Sequence, residues 1–116
     1  MNLILSGSDP LSAKHLNRIR AYEESRRTHG IEILSGTFLT GRIVLFVMRA
    51  GGNTSAWAYF PITGCEEFIG VIASDENIRN FTNRCIENAL TRFAWNHPDA
   101  QEVVRHLRAA RGGREE

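Results

Sequence analysis

The most constraining feature of the sequence is an apolar run at its centre. Residues 43–48 read Ile-Val-Leu-Phe-Val-Met, with no polar residue among them. Successive side chains of a β-strand point to opposite faces, so a strand with this composition is apolar on both faces. Such a strand must be covered on both sides. The sequence therefore predicts a sheet that lies between two layers of other structure.

Segments around this run favour an antiparallel meander. Three of them are rich in β-branched and aromatic residues and change to the period of two that is typical of strands: residues 31–39, 42–49 and 54–60. Thr40-Gly41 is a two-residue connection of the kind found in tight hairpins, and residues 50–53 form a second glycine-rich turn. Pro61 ends the third segment because it cannot donate a ladder hydrogen bond.

Two further apolar segments leave the number of strands open between three and five. Residues 2–5 could form a short first strand. Residues 68–73 have the right length for a fourth strand after the meander, although Gly70 and the following helix signal also allow a loop. The expected sheet therefore has three to five strands.

Three segments have helical signals. The first begins at Ser8-Asp9-Pro10 and ends near Thr28, with a thin apolar stripe. The second is the clearest, with Ser74 or Asp75 as its expected N-cap and apolar residues at spacings of three and four: Ile78, Phe81, Cys85, Ile86, Ala89, Leu90 and Phe93. The third begins at Pro98 and ends at Gly112-Gly113. The predicted architecture is a single α+β domain over residues 1–116, ordered (β)-α-β-β-β-(β)-α-α, with 113–116 as a frayed tail.

Alternation along residues 54–60 assigns the two faces of the sheet. Ala56, Ala58 and Phe60 share one face, and Trp57 and Tyr59 share the other. Small alanines let a helix approach closely, so we expect the second helix to cover the alanine face. The aromatic face is then covered by another helix of the chain or by another molecule, and the first alternative is slightly favoured.

Composition argues against several functional classes. The formal net charge is +1, so the whole molecule has no strong attraction for nucleic acid. No run approaches 18 apolar residues, and the N-terminus lacks the basic segment of a signal peptide. We therefore expect a cytoplasmic protein that does not enter a membrane.

The sequence contains no catalytic, metal-binding or nucleotide-binding motif. Two cysteines cannot form a closed zinc site, and no glycine-rich phosphate loop is present. Cys65 could act as a nucleophile with a histidine as its base, but nothing in the sequence fixes that geometry. Glu66 and Glu67 would point to opposite faces of a strand, which does not suit a catalytic pair. We expect a protein that is not an enzyme and needs no cofactor or metal.

The order helix, three strands, helix is also that of double-stranded-RNA-binding domains. Those domains have a basic cluster at the start of the second helix. Here the corresponding residues are Ser74-Asp75-Glu76-Asn77, which are acidic where phosphates would lie. The sequence therefore does not support membership of that family.

A short chain without catalytic motifs but with available Arg and aromatic residues favours a binding role. In general character it resembles the small inhibitors and adaptors of phages and mobile elements, including anti-CRISPR proteins. We expect it to dock on another protein and to form a homodimer as a further possibility. The candidate binding residues are Trp57, Tyr59, Arg42 and Arg49. The alternative is a nucleic-acid-binding domain that uses the same arginines with Trp57 and Tyr59 as a stacking surface.

Overall fold

The computed structural model describes residues 13–40 and 42–112. It contains a helix, four strands and two further helices: α1 (Ala13–Thr28), β1 (Glu32–Thr40), β2 (Ile43–Ala50), β3 (Asn53–Phe60), β4 (Cys65–Val71), α2 (Ile78–Phe93) and α3 (Ala100–Gly112). The predicted α+β meander is confirmed. The predicted strand at residues 2–5 and the predicted helix start at residues 8–10 lie outside the described residues.

The four strands form one open antiparallel sheet in the order β1-β2-β3-β4. The alternative of a loop at residues 68–73 is wrong, because β4 pairs with β3 from the Cys65–Phe60 partners to the Val71–Ser55 partners. β2 lies between β1 and β3, and its residues 43–48 are all buried. The apolar run at the centre of the sequence is therefore a strand covered on both faces, as predicted.

The larger core lies between the sheet and α2, and α3 packs against α2. Ala56 and Ala58 are fully buried on this face, under the apolar stripe of α2 that includes Phe81 and Leu90. The close approach of a helix to alanines explains why the alanine face is the one that α2 covers, as predicted. Val104 of α3 belongs to the same core.

A smaller core lies on the other face of the sheet, beneath α1. Two buried residues of this helix, Ile19 and Tyr22, contact side chains of β2 and β3 such as Phe46 and Tyr59. Arg18 fixes one end of α1 because its guanidinium donates to the carbonyl oxygen of Pro61 at 2.8 Å. The intramolecular cover that the sequence slightly favoured is thus present over part of the aromatic face.

Two predicted helix starts are wrong. The N-cap of α2 is Asn77, whose side-chain oxygen accepts from the Asn80 amide at 2.8 Å, and not Ser74 or Asp75. The turn before it is fixed by Glu76, whose carboxylate accepts from the Ala73 amide and binds Arg84. α3 begins at Ala100 and not at Pro98. Neither displacement changes which face of a helix is buried.

Candidate binding surface

Trp57 lies at the border of the smaller core. Its side chain is half-buried on the face that α1 covers, and its indole Nε1 donates to Ser55 Oγ at 3.1 Å. The polar atom of the ring is therefore satisfied within the chain. What Trp57 offers to a partner is the remaining apolar part of its ring.

Tyr59 shares this face but is buried beneath α1. Its ring stacks on Tyr22 with 4.3 Å between ring centroids, and its side chain is only 6% exposed. Burial raises the pKa of Tyr59 because the phenolate would lose solvation. Tyr59 thus contributes to the packing of α1 and is less exposed to solvent than Trp57.

The two candidate arginines lie at opposite ends of β2. Arg42 immediately precedes the strand, and its backbone amide donates to Thr40 Oγ1 at 2.9 Å. Arg49 is near the strand's other end, about 23 Å away at roughly 3.3 Å per residue, and forms an exposed ion pair with Glu32 at 3.7 Å. Alternation puts Arg49 on the α2 face, opposite Trp57. The structure therefore does not bring the four predicted residues into one site; a binding role for each stays a prediction.

β4 adds two apolar residues beside Trp57 that the sequence reasoning missed. Phe68 is the direct partner of Trp57 across the β3–β4 pair, and the two rings meet edge to face with centroids 5.3 Å apart. A register shift opposite Ala56 and Trp57 then turns both Ile69 and Gly70 toward α2. Val71 consequently returns to the face of Trp57.

We call Trp57, Phe68 and Val71 the exposed strip. Phe68 is 47% exposed and Val71 is 54% exposed. They lie at the β4 side of the sheet, where α1 no longer covers it. Half of each large apolar side chain is therefore in contact with water, next to a half-buried indole ring.

A polar contact joins the smaller core to β4 beside the exposed strip. The hydroxyl of Tyr22 donates to Glu66 Oε1 at 2.6 Å, which ties α1 to β4 next to Phe68. Burial and this hydrogen bond to a carboxylate raise the pKa of Tyr22. Arg26, one helical turn further along α1, stacks over the Tyr22 ring at 5.0 Å. Tyr22 is thus held by contacts with both β4 and its own helix.

The two cysteines occupy different environments. Cys65 is exposed at the start of β4, whereas Cys85 is buried among the α2 residues of the larger core. Burial raises the pKa of the Cys85 thiol to about 11, which keeps it protonated at neutral pH. Cys85 is therefore suited to packing and not to nucleophilic attack, as its place in the helical stripe predicted.

Part of the exposed strip could have been found from the sequence. Counting the antiparallel register outward from the turn at residues 61–64 puts Phe68 opposite Trp57, which places both rings on one face. Val71 could not be assigned in this way. Strict alternation puts it on the face opposite Phe68, and only the register shift at residues 69–70 reverses this.

Among the described residues, no helix is long and apolar enough to cross a membrane. Comparison of the chain with protein-family models, with curated proteins and with solved structures found no match. Its function must therefore be argued from its own surface.

Proposed function

We propose that the chain is a non-enzymatic protein that docks on another protein through the exposed strip. The observation that carries this proposal is the pair Phe68 and Val71, each about half exposed beside Trp57. Contiguous apolar surface of this kind is the usual mark of an interaction site on a small domain. Aromatic residues also supply much of the binding energy of protein interfaces, because they bury a large area with few rotatable bonds.

The charges around the exposed strip favour a protein partner over a nucleic acid. Glu66 precedes Phe68 by two residues on the same face of β4 and is exposed, so its carboxylate would repel a phosphate backbone there. The nucleic-acid alternative also needs Tyr59 as a stacking platform, and Tyr59 is covered by Tyr22.

The biological setting proposed with this function is that of a small inhibitor or adaptor of the phage or mobile-element type, acting in the cytoplasm. Its support is the general character of the chain: one short α+β unit with an aromatic docking surface. A homodimer through the same surface is the competing outcome of the test below.

The proposal is tested by capturing the partner from native host extract, identifying it by mass spectrometry, and measuring the affinity of the purified pair. Phe68→Ser should weaken binding at least about tenfold, since it removes an apolar anchor. Ile62→Ser is the matched control because Ile62 is similarly exposed, at 44%, but lies in the β3–β4 turn outside the exposed strip.

Salt dependence distinguishes the classes of partner. Docking through the exposed strip should change little between 50 and 200 mM salt, whereas binding through many phosphate contacts falls by roughly a thousandfold or more over such a range. Unchanged affinity of Phe68→Ser, or a steep loss with salt, would contradict the proposal. A concentration-dependent dimer that Phe68→Ser abolishes would assign the surface to self-association.

A further inference from the structure

β4 presents an open sheet edge. It is the last strand of the sheet among the described residues and runs for seven residues, Cys65–Val71. It contains neither proline nor lysine, the two residues that most often protect an edge strand. An edge of this kind is a template on which another strand can add, and within β4 itself only two exposed glutamates and one register shift oppose this.

The backbone direction identifies which groups of β4 face away from β3. The Ile72 amide donates to the Thr54 carbonyl oxygen at 3.0 Å, so residue 72 faces β3. The amide and carbonyl of one residue in an extended strand point to the same side, and those of its neighbour to the other. Val71 therefore faces outward. The register shift at Ile69 and Gly70 makes Phe68 face outward as well.

The outward carbonyls of Phe68 and Val71 each accept from an arginine of α2. Arg84 Nη2 donates to the Val71 carbonyl oxygen at 3.2 Å, and Arg92 Nη1 donates to the Phe68 carbonyl oxygen at 3.1 Å. An added strand would need these same acceptors for its own amides. The two side chains thus occupy the hydrogen-bonding positions of a neighbouring strand.

Each arginine is held in place by a second contact. Arg84 forms two hydrogen bonds with the Glu76 carboxylate, at 2.8 Å and 2.9 Å, and Glu76 also accepts from the Ala73 amide at 3.1 Å. Arg92 stacks over the Phe93 ring at 4.9 Å. A guanidinium that is already oriented loses less entropy when it binds a carbonyl. These contacts keep both guanidinium groups at the β4 carbonyls, so the edge of β4 is covered most of the time.

The opposite edge of the sheet is protected differently. β1 has two register shifts against β2, between Ile33 and Ser35 and between Phe38 and Thr40. Such irregularities break the even spacing that a further strand would need. β4 has only one such register shift. The two arginines therefore add protection that the backbone of β4 does not provide.

We propose that Arg84 and Arg92 keep β4 from pairing with β4 of a second copy of the chain. A second copy is the occupant that fits best, because antiparallel pairing about Phe68, with the extra residue Ile69 left unpaired, sets Glu67 opposite Gly70 and Glu66 opposite Val71. No carboxylate then faces a carboxylate. The same pairing stacks two Phe68 side chains together on one face, which adds apolar contact.

The test is the oligomeric state of the Arg84→Ala, Arg92→Ala double variant. Sedimentation at about 100 μM, within the range where exposed strand edges associate, should show dimers that dissociate on dilution. Hydrogen exchange of the outward Phe68 and Val71 amides should slow with concentration in the variant and not in the parent chain. Arg79→Ala with Arg105→Ala is the matched control, since it removes the same charge from exposed positions on α2 and α3.

A double variant with the parental circular dichroism spectrum that stays monomeric would overturn the proposal. So would a dimer in which the Phe68 and Val71 amides exchange as fast as in the parent. If the double variant does not fold, Arg84→Lys with Arg92→Ala replaces it: the lysine keeps a cation beside Glu76 but lacks the guanidinium fork. Association through β4 is measured here without any partner, so its failure leaves the proposed docking function intact.

Discussion

The two faces of the sheet are covered in different ways. On one face α2 and α3 cover the sheet, and the core on this face holds 15 buried residues of the described part of the chain. On the other face the described residues form a core of seven buried side chains beneath α1, and Phe68 and Val71 are exposed at the β4 side. One face of the sheet thus carries the larger core, and the other face is only partly covered.

This difference explains why adjacent residues of β3 have different roles. Ala58 and Tyr59 are neighbours in sequence and both are buried, under α2 and under α1 respectively. Trp57, on the same face as Tyr59, is beyond the cover of α1 and remains half-buried. The position of α1, and not the strand itself, therefore decides that Tyr59 is buried while Trp57 stays partly exposed.

The largest effect that separates the two faces is expected from loss of a buried aliphatic side chain. Leu90→Ala should lower the free energy of unfolding by about 4 kcal/mol and Ile19→Ala by about 2 kcal/mol, because cavity cost depends on how well the surroundings can close. Leu90 is enclosed by sheet, α2 and α3, whereas Ile19 belongs to a single covering helix. Urea unfolding measures both. Equal losses, or a larger loss for Ile19→Ala, would mean that the two faces are equally rigid.

A second effect is the dependence of stability on alkaline pH. Burial raises the pKa of Cys85 from 9.0 to about 11, so above pH 9 the unfolded chain loses this proton before the folded chain does. Stability from this group is therefore complete below pH 9 and is lost as pH rises toward 11. The parent should lose roughly 1–2 kcal/mol more than Cys85→Ala over that interval. If the stability of the parent and that of Cys85→Ala fall in parallel as pH rises in reducing buffer, the thiol is not buried as described.

A smaller effect is expected at the boundary of the α1 face. Tyr22→Phe removes the hydroxyl that donates to Glu66 at 2.6 Å but keeps the stacked ring. The expected loss is about 1 kcal/mol, since Glu66 is exposed and a hydrogen bond there competes with water. The raised pKa of Tyr22 means that its stabilisation also declines above pH 10, where the unfolded tyrosine ionises first. Tyr22→Phe should therefore lose less stability than the parent on going above pH 10.

Local patterns in the sequence were sufficient to predict the order of the elements and the assignment of faces. The period of two in β3 placed Ala56 and Ala58 under the amphipathic helix, and the apolar run of β2 required cover on both sides. The helix starts were harder. Ser74 and Asp75 are good capping residues, but a contact between Glu76 and Arg84, which are eight positions apart, fixes their turn, and Asn77 caps the helix instead.

The candidate surface was only partly predictable. Trp57 was found by alternation, but Tyr59 was placed with it because a strand pattern does not reveal where a covering helix ends. Val71 was missed because one extra residue in β4 reverses the alternation. Contacts between Arg92 and the Phe68 carbonyl join residues 24 positions apart, which no local pattern reports.

We propose that Tyr59 stabilises the fold and that Phe68 serves binding, and one crossed experiment separates these two roles. Tyr59→Ala and Phe68→Ala are each measured for the urea midpoint and for affinity toward the captured partner. We expect Tyr59→Ala to cost about 3 kcal/mol of stability, because it removes a buried aromatic ring. Phe68→Ala should stay within about 1 kcal/mol of the parent in stability and lose at least about tenfold in affinity. A Phe68→Ala variant that binds like the parent, or a Tyr59→Ala variant that is as stable as the parent, would contradict the account.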